Sequence, residues 1–160
     1  MTNNIKTLKE FLPIREKLKS SNKKVVFTNG CFDLIHAGHI DYLNKAKSLG
    51  DVLVVGINSD VSVSKIKGDK RPLISENERT LIVSNLKSVD YVIIFNEDTP
   101  EKLIEEIIPD ILVKGADWDL EKIVGRDIVI NNGGQVKSID FVIHQSTSKI
   151  IDSILKRNNK

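Results

Sequence analysis

The amino-acid sequence predicts an α/β fold: a doubly wound, Rossmann-like sheet of about five parallel strands with helices on both faces. Three observations predict it. Short continuous runs of β-branched and apolar residues recur along the chain, as in strands buried on both faces. Helical patterns with their own start and stop signals separate these runs. Polar, glycine-containing segments follow the strands, where an open parallel sheet binds its ligands, outside the carboxyl ends.

In chain order, Leu8, Phe11, Leu12 and Leu18 give a leading helix over about residues 5–19, with Pro13 either bending it or opening its second half. Val25-Val26-Phe27 is the first strand. Ile40, Leu43 and Ala46 mark a helix beginning near His39 and closed by Gly50. Val52 to Ile57 is the second strand, and Asn58 to Arg71 reads as a polar segment. Ser75 and Glu78 make a capping box ahead of Leu81, Ile82, Leu86 and Val89. Tyr91 to Phe95 is the third strand. Thr99-Pro100 then places a cap and a first-turn proline before Leu103, Ile104, Ile107 and Ile108. Ile111 to Val113 is the fourth strand, a helix near Ile123 to Asn132 stops at Gly133-Gly134, and Val136 to Ile139 is a weaker fifth strand. Ile150, Ile151, Ile154 and Leu155 belong to a last helix, and residues from about 157 to 160 form a frayed tail.

The 160 residues suit one domain spanning residues 1–160, with 40% hydrophobic and 29% charged side chains. Lys and Arg total 24 against 22 Asp and Glu, and a net charge of +2 offers no argument for nucleic acid or a membrane surface as partner. One cysteine, Cys31, excludes an internal disulfide framework and fits a reducing compartment. The polar N-terminus lacks a signal-peptide pattern, and no run approaches the roughly 20 apolar residues of a membrane span. The expectation is a cytoplasmic protein. Nothing in the chain sets the oligomeric state; a homodimer is one arrangement that it allows.

Two phosphate signatures are missing: no Gly-Lys pair exists for a P-loop, and there is no G-x-G-x-x-G. The candidate phosphate site is instead Thr28-Asn29-Gly30-Cys31-Phe32-Asp33-Leu34-Ile35-His36-Ala37-Gly38-His39. Gly30 lets backbone amides approach a ligand, and Gly38 lets a polyphosphate reach the first turn of the following helix, whose free amides and dipole favour an anion. His36 and His39, three residues apart, can share a helix face and donate hydrogen bonds to oxygens that gain charge during attack on phosphorus. Read as zinc ligands, Cys31, His36 and His39 lack a fourth partner at usual spacing. Cys31 is otherwise a small packed side chain, and Asp33 orders the loop or a histidine. Trp118 reads equally as packing or as a lid beside a base, and His144 as structural or solvent-facing.

The G-C-F-D-x-x-H-x-G-H stretch resembles the cytidylyltransferase-like nucleotidylyltransferases, and the resemblance runs from Val25 to Ile151. It is nearest to the adenylyltransferase branch that serves bacterial ADP-heptose synthesis. That nearer likeness rests on Phe27 to Asp33, Gly56-Ile57-Asn58-Ser59-Asp60, Lys67-Gly68 with Arg71-Pro72, Val89-Asp90-Tyr91-Val92, Glu97-Asp98-Thr99-Pro100 and Leu112 to Asp117. The resemblance implies that His36, His39 and Lys67 are catalytic. It implies nucleotide binding by Thr28, Asn29, Gly30, Cys31, Phe32, Gly38, His39, Lys114, Gly115, Asp117, Ser146, Thr147 and Ser148. Asp33, Asn58, Asp60, Lys67 and Arg71 would meet the acceptor. No protein metal site is implied; Mg2+ would be carried in by the nucleotide. Gln145 departs from the family, where an Arg often precedes the Ser-Thr turn, and Lys149 is a candidate to supply that charge. Relatives often carry a fused sugar kinase, so a chain without one reads as a stand-alone enzyme or an excised domain.

The expected reaction is AMP transfer from ATP to a sugar 1-phosphate, D-glycero-β-D-manno-heptose 1-phosphate, with release of pyrophosphate. A cytidylyltransferase acting on glycerol 3-phosphate or another small phosphate would share the machinery. A catalytically silent nucleotide-binding module is the alternative of another class.

Overall fold

The computed structural model describes residues 4–116, 119–140 and 146–158. Its centre is one sheet of five parallel strands in the order β3-β2-β1-β4-β5, formed by β1 (Val25–Gly30), β2 (Val52–Asn58), β3 (Tyr91–Phe95), β4 (Ile111–Gly115) and β5 (Gln135–Ile139). Consecutive side chains on β1 point to opposite faces, so Val26 joins one apolar cluster and Val25 and Phe27 join the other. The first cluster packs α2 (Ala37–Lys47) and α4 (Glu76–Ser84) through Tyr42, Leu43, Ala46 and Val83. The second packs α1 (Leu8–Ser20), α5 (Glu101–Ile107) and α6 (Arg126–Asn131) through Phe11, Leu103, Ile104, Ile107 and Val129. A side chain such as Phe27 or Leu43, fully buried, contributes about 1.5–3 kcal/mol relative to exposure. The doubly wound sheet with helices on both faces is therefore as the sequence predicts.

The details differ where tertiary packing overrides local pattern. Pro13 lies within a continuous α1, which starts at a Thr7–Glu10 capping box. Thr28, Asn29 and Gly30, expected in the loop, extend β1 and pair with Val55, Gly56 and Ile57 of β2. Part of the predicted polar segment is helix α3 (Asp60–Lys67), capped by the Ser59 hydroxyl. The Ser75–Glu78 capping box forms as predicted. The helix it starts, however, buries Arg79, Thr80, Val83 and Ser84, while Leu81 and Ile82 are exposed. Ile40 is likewise exposed on α2. Pro100 is itself the cap residue of α5, so Thr99 lies one position before it. A 3-10 turn (Leu120–Lys122) precedes α6, which ends before Gly133 at φ +80°. The last helix, α7 (Thr147–Asn158), includes Arg157, placed in the tail by the sequence. Among the described residues no helix is long and apolar enough to cross a membrane.

Candidate active site

A cleft of about 660 Å³ opens over the carboxyl ends of the strands. It is where the parallel-sheet rule places a ligand, because the chain leaves β1 toward one face and β4 toward the other. Its floor is the end of β1. Gly56, beside it on β2, has no side chain for a reason: a Cβ there would lie 3.0 Å from the Phe27 ring and 3.2 Å from the Asn29 Cβ. Gly30 is also closely approached, since the Phe32 ring comes within 3.1 Å of where its Cβ would be. Phe32 holds φ at +49°, in the left-handed region that few side-chain-bearing residues occupy.

The chain then enters α2 with His36 at the cap position. No side chain caps this end and no acidic residue occupies the first turn, so the positive end of the helix faces the cleft without an internal counter-anion. His36 and His39 line the cleft with their rings stacked, centroids 3.9 Å apart and planes at 25°. Phe32 packs against His39 at 5.3 Å between centroids. Both Nδ1 atoms are buried without a hydrogen-bond partner. Burial, and then the like charge of His36, push His39 down to about 4, and burial lowers His36 in the same direction. At neutral pH both rings are neutral, each with one N–H to donate.

Opposite them, α7 begins at the cleft. The Ser146 hydroxyl accepts the Lys149 amide, Thr147 donates to the Leu34 carbonyl, and no acidic residue lies in the first turn. Ser146, Thr147, Ser148 and Lys149 all line the cavity. Lys114, at the end of β4, reaches the Asn29 carbonyl at 3.3 Å and lies beside Gly115 in the lining. The α3 side supplies Lys67 and Arg71. Of the carboxylates here, Asp98 is paired with Lys65 and Asp33 with Arg71. The uncapped start of α2, the Ser146-capped start of α7 and four cations thus converge on one space, an arrangement that suits a polyphosphate and a second phosphate.

The structure brings together His36, His39, Lys67, Asn29, Gly30, Cys31, Phe32, Lys114, Gly115, Ser146, Thr147 and Ser148 as the sequence proposed, with Asp33, Asn58 and Arg71. Three residues stand elsewhere. Thr28 is buried, its hydroxyl 2.8 Å from that of Tyr42, so it supports a lining residue instead of meeting a ligand. Gly38 is buried in the first turn of α2. Asp60 turns from the cleft to bond Arg79. Asp33 lines the cleft, but its carboxylate is engaged: it accepts Arg71 Nε at 2.6 Å and the amides of Leu73 and Ile74. Its oxygens therefore anchor Arg71 and the main chain at Leu73 and Ile74, which fits the expectation that Asp33 orders a loop. Asp117, Trp118, His144 and Gln145 lie outside the described residues. The Cys31 thiol is raised above its ordinary value by burial, which fits a packed side chain. Among the described residues no group of three or more His, Cys, Asp or Glu could hold a metal ion. Sequence reasoning missed Arg79, Tyr42 and Asp98. The signal for Arg79 was its i,i+4 spacing to Val83, which puts it on the buried face.

Residues 27–155 match the family model described as Cytidylyltransferase-like. The chain belongs to the cytidylyltransferase-like family. The bifunctional protein HldE of Citrifermentans bemidjiense is 59% identical over 136 residues, covering 85% of this chain and 28% of that protein. The HldE of Geobacter metallireducens is 55% identical over 152 residues, covering 95% of this chain and 31% of its own length. This cytidylyltransferase-like chain thus spans under a third of the curated relatives it matches. Among solved structures, the lipopolysaccharide core biosynthesis protein of Thermoplasma volcanium superposes with a TM-score of 0.61 at 32% identity, over 77% of this chain and 99% of that one. Pantoate-beta-alanine ligase of Francisella tularensis, at 18% identity and a TM-score of 0.58, shares the fold.

Proposed function

We propose that the cleft transfers AMP from ATP to the phosphate of D-glycero-β-D-manno-heptose 1-phosphate, giving ADP-heptose and pyrophosphate. The observation that carries this reading is the stacked His36–His39 pair at the uncapped start of α2, facing Lys114 and Lys149 on one side and Lys67 and Arg71 on the other. The match to bifunctional HldE proteins over most of this chain supports the heptose branch.

The acceptor phosphate is already ionised at neutral pH, so the chemistry needs no general base. One of its oxygens attacks the α-phosphorus in line. A new P–O bond forms as the α–β bridging bond breaks, and pyrophosphate leaves with its electron pair. The neutral imidazoles donate hydrogen bonds to oxygens that gain charge at the transition state, while the lysines and Arg71 offset the charge brought together. Mg2+ enters as the counter-ion of the nucleotide and leaves with pyrophosphate, as part of the substrate.

A panel of ATP, GTP, CTP and UTP against heptose 1-phosphate and glycerol 3-phosphate, read by pyrophosphate release, tests the assignment. The expected outcome is turnover with ATP and heptose 1-phosphate. Preference for CTP with glycerol 3-phosphate would move the chain to the cytidylyltransferase reading. Nucleotide binding without pyrophosphate from any pair would make it a silent binding module.

A further inference from the structure

Arg79 is completely buried and does not itself line the cleft, but it bonds the main chain of residues that do. Its guanidinium donates to the carbonyl oxygens of Ile74 (3.0 Å), Cys31 and Asn58 (2.8 Å), and to Asp60 Oδ1 (2.9 Å). The three carbonyls belong to three different walls of the cleft: the turn after β1, the end of β2 and the loop between α3 and α4. Burying a guanidinium is costly, and the cost is offset only because each group it meets is a hydrogen-bond acceptor. What arginine adds is a rigid fork that fixes three segments relative to one another.

Asp33 closes the same circuit from the other side. Its carboxylate, 1% exposed, holds Arg71 and the amides of Leu73 and Ile74. Ile74 is therefore gripped twice, by its amide to Asp33 and by its carbonyl to Arg79. Between the two gripped residues of the turn, Cys31 and Asp33, sits Phe32 in its left-handed conformation. Such a conformation persists only where the surroundings over-determine it. The Phe32 ring in turn packs on His39.

We propose that Arg79 is a positioning residue for the transfer reaction, acting with Asp33 as a single brace that pins Phe32 and thereby sets both the His39 ring and the Arg71 guanidinium. The inference rests on the proposed adenylyl transfer for its kinetic consequence, though not for its structural one.

The test uses the full chain with Arg79→Lys, Phe32→Gly and the double variant. Lysine keeps the charge but cannot reach three diverging carbonyls. In a folded Arg79→Lys protein, kcat should fall by about a hundredfold, the scale of a misplacement of about 1 Å, with the KM for ATP within about threefold. Because Arg79 acts through Phe32, Arg79→Lys should cost much less in the Phe32→Gly background. NMR of the His39 ring is the readout that needs no activity: Arg79→Lys should move its signals in the same direction as Phe32→Gly does. An unmoved His39 signal in folded Arg79→Lys, or costs that simply multiply in the double variant, would overturn the brace. If Arg79→Lys does not fold, Asp33→Asn replaces it, with the same expected His39 shift and the same overturning result. If the wild type makes no pyrophosphate from any pair, the proposed function fails, and the His39 signals still decide the brace.

Discussion

His36 and His39 stack their rings 3.9 Å apart, one helical turn from each other, at the end of α2 that no side chain caps. Burial lowers both histidines, so the stacked rings are neutral at pH 7, whereas two imidazolium ions at this distance would repel strongly. The role proposed for the neutral pair is that of a hydrogen-bond donor set. His36→Ala and His39→Ala should each lower kcat by about a hundredfold or more, the scale of one lost transition-state donor, with a smaller change in nucleotide affinity. Steady-state kinetics with equilibrium binding of ATP checks this. Near wild-type turnover in both variants would remove the catalytic assignment.

The same burial makes His39 sensitive to pH. It titrates at about 4 in the folded protein, against roughly 6.5 for an unfolded histidine. Between these values the unfolded chain binds a proton that the folded protein refuses, so stability falls as pH drops through the window from about 6.5 to 4 and is untouched above it. Urea unfolding of nucleotide-free protein should show a larger loss between pH 7.5 and 5.0 for wild type than for His39→Gln. Equal losses would mean that His39 is solvated in solution.

Cys31 contributes its main chain, whose carbonyl accepts Arg79, more than its thiol, which burial raises. Cys31→Ser should retain most of the activity. Alkylation by iodoacetamide at pH 7 should be slower than for a free thiol, and slower still with ATP bound. Mass spectrometry of the labelled protein gives the rate, and rapid labelling would put the thiol in an open, activated setting.

Arg71 is held by Asp33 through Nε, which leaves the far side of its guanidinium toward the cleft it lines with Lys67. Arg71→Ala should raise the KM for the acceptor by about tenfold or more, as expected for a lost charge-assisted bond of about 1.5–3 kcal/mol. The KM for ATP should change less. Asp33→Asn should show the same acceptor-specific defect in weaker form. A defect confined to ATP would place Arg71 on the triphosphate instead.

Much of this site was legible in the sequence because its signals are local. Gly30 and the histidine pair come at and after the first strand, the Ser146–Ser148 turn comes between the fifth strand and the last helix, and the fold gathers them around one cleft. What was illegible is long-range. That Asp33 orders a loop is legible, but which loop is not, since the amides it holds lie some forty residues away. Arg79 goes unremarked because the helical pattern is read through Leu81 and Ile82, which α4 carries on its exposed side. The α3 helix was hidden because Asp60 to Lys67 is mostly polar and short, so its stability comes from Ser59 capping and the burial of Val63.

The central claim is that an acceptor phosphate oxygen attacks the α-phosphorus of ATP within this cleft. Heptose 1-phosphate carrying ¹⁸O in its non-bridging phosphate oxygens tests it most directly, with both products analysed by mass spectrometry. ADP-heptose should retain all of the label, one labelled oxygen now bridging the two phosphorus atoms, and pyrophosphate should be unlabelled. Label in pyrophosphate, or no ADP-heptose at all from enzyme that binds both substrates, would contradict it.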